Sequence, residues 1–116
     1  MIKYAAIIEA RMCSSRLPGK VILNVNKIPM IILLIDRLCQ VKAIDRIIVA
    51  TTKDKNNDKL CQLLKKNKVN FFRGSEKNVL DRVLKSALKY KVKNIVQITG
   101  DCPLIDPEIV SQVISI

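Results

Sequence analysis

The sequence predicts an α/β fold in which a mostly parallel sheet is covered by helices on both faces. Two observations support this prediction. Four apolar runs rich in β-branched residues are spread along the 116 residues, and segments with helical periodicity alternate with them. Strands that alternate with helices form parallel sheets, because each crossover helix returns the chain to the same end of the sheet.

The predicted strands are residues 4–10 (YAAIIEA), 46–52 (RIIVATT), 69–73 (VNFFR) and 94–100 (NIVQITG). Three of them are nearly continuous Ile, Val and Ala. This composition is typical of strands that are buried on both faces of a parallel sheet.

The predicted helices cover residues 29–42, 57–67, 76–90 and 107–116. Pro29 would occupy a first helical position, which suits its fixed φ angle. Ser75 and Asp106 are predicted caps of the third and fourth helices. The third helix places its apolar residues in one stripe of helical period, at positions 79, 80, 83, 84, 87 and 88.

The length suits one compact domain, so we expect residues 1–116 to form a single α/β domain. The sequence stops at Ile116, on an apolar residue of the fourth helical pattern that has no C-cap. We therefore expect it to be the N-terminal part of a longer domain. No apolar run approaches the about 20 residues of a membrane span, and the first apolar stretch is predicted to be a strand rather than a signal peptide.

Cysteine and histidine usage restricts the chemistry. The four cysteines are widely spaced and form no CxxC pair, which favours a reduced, cytoplasmic setting. The chain contains no histidine. Catalysis by histidine and metal binding by histidine are therefore both excluded.

The formal net charge of +11 has two interpretations. A basic surface can bind nucleic acid, so an RNA-binding module is one alternative. However, most of the excess is lysine spread over helical faces, without the interleaved aromatic residues on which bases stack. This pattern favours an ordinary solvated surface.

The segment after the first strand, EARMCSSRLPGK (9–20), has a different kind of charge. Arg11, Arg16 and Lys20 lie within ten residues, with Ser14 and Ser15 between them. Arginine offers a planar fork of donors that matches phosphate oxygens, and ligands of α/β sheets bind at the carboxyl ends of the strands. The segment therefore predicts a polyphosphate site, with a solvated surface loop as the alternative. Neither a Walker loop nor a GxGxxG fingerprint is present.

Four motifs in order carry a resemblance to a known family: ARMCSSRLPGK, VATT followed by Asp54, FFRGSEKNVLDR and ITGDCPLIDPEIV. They are similar to motifs of the cytidylyltransferases that activate acidic sugars, in particular the subgroup of spore coat polysaccharide biosynthesis protein F. The likeness runs through essentially the whole chain. It implies a Rossmann-like sheet of the nucleotide-diphospho-sugar transferase type. It also implies transfer of CMP from CTP to an acidic sugar, with release of pyrophosphate, for surface polysaccharide.

The resemblance also implies roles for individual residues. In the family the signature loop wraps the CTP phosphates, which here implies nucleotide binding by Arg11, Ser14, Ser15, Arg16 and Lys20, with Arg11 and Lys20 as catalytic residues. The family's GDxP motif matches Gly100, Asp101 and Pro103. Its aspartate holds the catalytic Mg²⁺, so Asp101 is the expected metal ligand and Gly100 a nucleotide-binding position.

Two further segments lie near the nucleotide in relatives. One is Ala50 to Asp54, in which Thr51 is an expected nucleotide-binding residue. The other ends in Asp81 and Arg82. For both segments, an ion pair or cap on a helix surface is an equal alternative. Relatives often have Gly or Ala where this chain has Cys13, and we expect Cys13 to be tolerated there.

The family places the sugar pocket and much of the dimer contact in its C-terminal portion. We therefore expect a homodimer for the full-length protein, and this chain alone could bind CTP without turnover. The remaining alternatives are a pseudoenzyme and a nucleotidyltransferase for another base or acceptor.

Overall fold

A computed structural model describes residues 1–13, 19–100 and 105–116. In that part of the chain the strands are β1 (Ile2–Glu9), β2 (Asn24–Val25), β3 (Ile28–Pro29), β4 (Arg46–Thr52), β5 (Asn70–Gly74) and β6 (Val92–Thr99). The helices are α1 (Met30–Leu38), α2 (Asp58–Lys66), α3 (Val79–Lys89) and α4 (Pro107–Ser115). Short 3-10 helices cover Lys20–Ile22 and Lys55–Asn57.

The main sheet has the strand order β5-β4-β1-β6, and all of its pairings are parallel. Strand β1 is central, and its Ile7 is in register with Ile48 of β4 and Gln97 of β6. The predicted α/β architecture and all four predicted strands are therefore confirmed.

A small hairpin between β2 and β3 was not predicted. Each of its strands has two residues, too few for an alternating pattern to be recognised in the sequence. Asn26 and Lys27 form its turn with φ angles of 51° and 70°, the positive values that two-residue hairpin turns require.

The sheet is buried on both faces, because alternate residues of β1 enter two separate cores. Ala5 and Ile7 pack with Val83 and Ala87 of α3. On the other face, Ala6 and Ile8 belong to a larger cluster with residues of α1, α2 and α4 that includes Ile31, Leu34, Leu38, Leu60, Leu64 and Val110. The continuous apolar composition of the strands follows from this two-sided burial.

Helix α3 does not begin as predicted. Asn78 is its N-cap, and the Asn78 Oδ1 atom accepts a hydrogen bond from the Asp81 amide at 2.9 Å. Ser75 lies before the helix, and its hydroxyl accepts a hydrogen bond from the Asn78 amide at 3.1 Å. The prediction of Ser75 as the cap was therefore wrong by three residues.

The other three helix starts, including that of α2 at Asp58, lie close to their predicted positions. Asp106 caps α4 by accepting a hydrogen bond from the Glu108 amide at 2.9 Å, as predicted. Helix α1 begins at Met30, one residue later than predicted, because Pro29 still pairs with Asn24 in the hairpin.

The apolar stripe of α3 is only half buried. Val79, Val83 and Ala87 face the sheet. The adjacent row, Leu80, Leu84 and Leu88, is 64%, 47% and 76% exposed. Successive residues of a helix point about 100° apart. The row of three leucines is therefore turned away from the sheet that covers the row of Val79, Val83 and Ala87.

Among the described helices, none has the length and apolar character needed to cross a membrane.

Candidate functional site

The carboxyl ends of the parallel strands meet at one edge of the sheet, which we call the carboxyl edge. The residues that follow β1 and β6 are hydrogen-bonded there to the ends of the neighbouring strands. The Gly100 amide donates a hydrogen bond to the Glu9 carbonyl at 2.8 Å, and the Ala10 amide donates to the Ala50 carbonyl at 3.1 Å. These bonds hold the start of the Arg11 segment beside Gly100.

A cavity of about 220 Å³ opens at this edge, between the ends of β1 and β6 and the first turns of α3. Three residues predicted from the sequence to lie at or near the site, Arg11, Arg82 and Gly100, line it together. The described lining residues are Glu9, Ala10, Arg11, Val21, Val79, Arg82, Thr99 and Gly100. We call this space the Arg11–Arg82 cavity.

Gly100 is required by the closeness of β1. A Cβ atom at this position would lie 2.9 Å from the Glu9 carbonyl oxygen and 3.0 Å from the Ala10 Cβ. Both distances are shorter than ordinary contacts, and one neighbour is backbone that cannot swing away. Glycine therefore lets the chain leave β6 directly against the end of β1.

Arg11 reaches across the cavity toward the segment between β5 and α3. Its Nη1 atom lies 3.3 Å from Oε1 of Glu76. Both side chains are partly exposed, at 35% and 45%, so this ion pair contributes little to stability.

Arg82 is buried, with 2% of its surface exposed. Its Nη1 atom donates to the Ser75 carbonyl at 3.1 Å, while its Nε atom is buried and has no hydrogen-bond partner. Burial, followed by the nearby charge of Arg11, lowers the pKa of Arg82, and Glu9 and Glu76 oppose that shift.

Asp81 and Arg82, predicted to act near the site as a pair, point to different places. Asp81 forms an i,i+4 ion pair with Lys85 at 3.2 Å. Asp81 also borders a second hollow, which is lined by residues of the β4 and β5 ends such as Lys53 and Arg73. Only Arg82 lines the Arg11–Arg82 cavity.

Lys20 begins the short 3-10 helix Lys20–Ile22 and is half-buried. It follows Gly19, which has a φ of 77° and whose amide donates to the Met12 carbonyl at 2.7 Å. Lys20 is not among the described residues that line the cavity. The predicted residues Ser14, Ser15, Arg16, Asp101 and Pro103 lie outside the described part of the chain.

Asn57 is a site residue that the sequence did not indicate. It is 2% exposed, and its Oδ1 atom accepts a hydrogen bond from the Met12 amide at 2.8 Å. Its Nδ2 atom donates to the Thr52 hydroxyl. Asn57 thus joins the segment after β1 to the end of β4. In the sequence it looks like an ordinary asparagine before a helix, so no signal distinguished it.

Arg73 fixes the end of β4 from the neighbouring strand β5. Its Nε atom donates to the Thr52 carbonyl, and Nη2 donates to the Asp54 carbonyl and to Oδ1 of Asp58, each at 2.8 Å. Thr51, predicted to bind nucleotide, is fully buried, and its hydroxyl has no hydrogen-bond partner. Its side chain therefore lies below the surface of the carboxyl edge.

Cys13 is exposed, and its Sγ atom accepts a hydrogen bond from Nδ2 of Asn56 at 3.4 Å. Its φ angle is not positive, so a side chain is accommodated there without backbone strain.

The described residues contain no cluster of three or more His, Cys, Asp or Glu side chains that could hold a metal ion. Among the described residues that line the Arg11–Arg82 cavity, Glu9 is the one acidic residue. Its Oε2 atom accepts a hydrogen bond from Gln97 at 3.2 Å.

Comparison with known proteins decides the family. A protein-family model described as cytidylyltransferase matches residues 5–115 of the chain. The chain belongs to the cytidylyltransferase family. Among its relatives is the spore coat polysaccharide biosynthesis protein SpsF of Bacillus subtilis, which is 38% identical over 112 residues and aligns with 93% of this chain and 47% of that protein.

Solved structures of cytidylyltransferases have the same fold. A cytidylyltransferase from Leptospira borgpetersenii superimposes with a TM-score of 0.91 at 37% identity, over 99% of this chain and 48% of that one. A CMP:2-keto-3-deoxy-manno-octonic acid synthetase complexed with CTP gives a TM-score of 0.82 at 28% identity, over 97% and 46%. This cytidylyltransferase-family chain therefore spans about half the length of the relatives that it matches.

Proposed function

We propose that the chain is the nucleotide-binding part of a cytidylyltransferase that transfers CMP from CTP to an acidic sugar and releases pyrophosphate. The observation that carries the proposal is the Arg11–Arg82 cavity, where two guanidinium groups meet at the carboxyl edge of a parallel sheet. Ligands of such sheets bind at this edge, and guanidinium groups suit phosphate oxygens. Family membership supports CTP as the nucleotide and nucleotidyl transfer as the reaction.

Arg11 and Lys20 are the proposed catalytic cations. Negative charge develops on the α-phosphate and on the departing pyrophosphate during nucleotidyl transfer, so cations held in place before the reaction lower its barrier. Arg11 is placed at the cavity, and Lys20 follows the Gly19 turn that is fixed to Met12. Ser14, Ser15 and Arg16 are proposed to bind the triphosphate together with them.

A magnesium ion fits the donor chemistry of this edge. Glu9 supplies a carboxylate at the cavity, and Asp101 follows the cavity residue Gly100 in the sequence. Mg²⁺ prefers carboxylate and phosphate oxygens and often uses only one or two protein ligands. We propose Asp101 as its ligand. When bound, the ion would supply positive charge to the phosphate oxygens.

The acceptor is proposed from the relatives alone. Several relatives are 3-deoxy-manno-octulosonate cytidylyltransferases, and one is 32% identical to this chain over 117 residues. An acidic sugar destined for surface polysaccharide, a cytoplasmic location and a homodimer of the full-length enzyme are parts of the same proposal.

Thermal unfolding with CTP, UTP, ATP and GTP, each with Mg²⁺, tests the nucleotide. A ligand that binds only the folded state raises the unfolding temperature by mass action. CTP should raise it most, and Arg11→Gln should reduce the CTP effect. The control Arg46→Gln removes the same charge at the opposite edge, where β4 begins, and should leave the effect intact.

Two outcomes would contradict the proposal. One is an equal effect of all four nucleotides in the wild-type chain. The other is RNA binding at physiological salt that CTP does not inhibit. This result would indicate that the lysine-rich surface binds nucleic acid.

A further inference from the structure

We propose that the exposed face of α3 is a self-association surface, through which two copies of this chain pack their α3 helices antiparallel about a two-fold axis. The surface consists of Leu80, Leu84 and Leu88, which we call the leucine row, with Asp81 and Lys85 beside them. The inference goes beyond the proposed function and does not depend on nucleotide binding.

The leucine row lies outside both hydrophobic cores formed by the described residues. Its three side chains are between about half and three-quarters exposed. Because they recur at every fourth position, they form one ridge about 12 Å long on the helix. A contiguous apolar surface of this kind is typical of an interaction site, whereas single exposed leucines are common on any protein.

The spacing of the leucine row allows two copies of it to interdigitate. Ridges of residues spaced by four pack between one another in the commonest class of helix packing. When the two-fold axis lies level with residue 83 of antiparallel helices, Leu80 and Leu84 of each copy fall between leucines of the other copy. The same surface is then used by both copies, as a two-fold interface requires.

The charges beside the leucine row favour a second copy of this chain in the antiparallel orientation. Asp81 and Lys85 directly follow Leu80 and Leu84, so both lie on the same flank of the row. Their side chains are 36% and 61% exposed. With the axis level with residue 83, Asp81 of one copy is level with Lys85 of the other, and this contact is made twice. A parallel pair would instead bring like charges together, and flanking charges of this kind set the orientation of paired helices.

Lys89, the next charge along this flank, is directed toward aromatic rings of its own chain. Its Nζ atom lies 5.3 Å from the centre of the Tyr90 ring and 5.9 Å from that of the Phe72 ring. Contacts of this kind attract the ammonium group to the ring faces. Asp81 and Lys85 are therefore the charges that decide the pairing.

Two other arrangements fit the observations less well. An anionic lipid surface would attract Lys85 but repel Asp81, which is equally close to the row. Helix α4 also exposes apolar residues, with Ile109 and Val113 at 57% and 60%. However, Glu108 is the one charged residue of that helix, so a second copy would meet no opposite charge there.

Sedimentation equilibrium of the 116-residue chain, at concentrations up to the millimolar range, tests the surface. The wild type should associate reversibly to a dimer. Leu84→Lys places a charge at the centre of the leucine row and should weaken the association at least tenfold. The matched control Leu23→Lys changes a leucine that is 44% exposed and lies before β2, so it should leave the association constant unchanged. Circular dichroism checks that each variant is folded.

Charge exchange tests the antiparallel orientation separately from the apolar contacts. Asp81→Lys and Lys85→Asp should each weaken self-association, because like charges then meet twice across the interface. A mixture of the two variants should form the heterodimer in preference to either homodimer, because every lysine of one variant then faces an aspartate of the other. Native mass spectrometry, with one variant labelled with ¹⁵N, measures the three dimers. A mixture without this preference would overturn the proposed pairing.

A wild-type chain that remains monomeric at millimolar concentration would also overturn the proposal, as would a dimer that Leu84→Lys does not weaken. If that monomer sediments with phosphatidylserine vesicles, the leucine row binds an anionic lipid surface instead. The effect of CTP on thermal unfolding tests the proposed function on its own. Failure of the self-association surface and failure of the proposed function are therefore distinguishable.

Discussion

Asn57 and Met12, 45 positions apart in the sequence, are joined by a hydrogen bond of 2.8 Å from the Met12 amide to the Asn57 Oδ1 atom. The Met12 carbonyl in turn accepts a hydrogen bond from the Gly19 amide at 2.7 Å. Both backbone polar groups of Met12 are therefore satisfied by distant partners. The two bonds fix Met12 and Gly19, the residues between which the predicted phosphate-binding loop runs.

Replacing Asn57 tests this anchor. Asn57→Leu removes the acceptor of Met12 and the donor to Thr52, and loss of buried hydrogen bonds costs about 1–3 kcal/mol of unfolding free energy. Asn57→Asp keeps the acceptor for Met12 and should recover much of the loss. Urea unfolding measures both variants. Hydrogen exchange of the Met12 amide should accelerate only in Asn57→Leu, and an unchanged rate there would contradict the anchor.

Gly100→Ala tests the close approach of β1 and β6. The added Cβ would lie 2.9 Å from the Glu9 carbonyl oxygen, so one strand end must shift. Overpacking of this kind costs roughly 1–3 kcal/mol. The control Gly19→Asn places at a φ of 77° a residue that tolerates positive φ, and should cost less. Urea unfolding that ranks the two variants in the opposite order would refute the packing argument.

Arg73→Lys tests the support of the β4 end. Lysine keeps the charge but cannot reproduce the fork that contacts the Thr52 and Asp54 carbonyls together. We expect a loss of about 1–2 kcal/mol, mainly from these backbone bonds, because hydrogen bonds to a charged donor exceed neutral ones. Chemical denaturation measures it. A stability equal to that of the wild type would show that the fork is dispensable.

Cys61 should make stability depend on alkaline pH. Burial, as the largest cause, raises the pKa of this thiol above its ordinary 9.0, so the folded state binds its proton more tightly than the unfolded state. The stabilisation is complete below about pH 9 and is lost as pH rises further. Cys61→Ala should therefore lose less stability than the wild type between pH 8 and pH 10. Leu64→Ala, a core control without a thiol, should retain the wild-type slope.

The strands were predictable because their signal is strong and local. Burial on both faces demands continuous apolar runs rich in β-branched residues, such as RIIVATT. The position of the site followed from topology, since the segments after β1 and β6 necessarily meet at the carboxyl edge.

The details that the sequence did not reveal depend on how the elements pack. Ser75 and Asn78 are both good caps by residue type, and in the structure Asn78 is the N-cap. Arg82 is buried, although it is charged and is not part of the apolar stripe by which the sequence predicts the buried face of α3. Asn57 gains its role from a partner 45 positions away. Long-range contacts of this kind leave no local pattern.

Titration of the ¹⁵N-labelled chain with CTP and Mg²⁺ tests the central claim, that the carboxyl edge binds the nucleotide, most directly. We expect the backbone amides of Arg11, Lys20 and Gly100 to shift in a saturating manner. Asp45, Lys68 and Val92, at the opposite edge of the sheet, should stay in place. Saturating shifts confined to that opposite edge, or no saturable shift with CTP, would contradict the account.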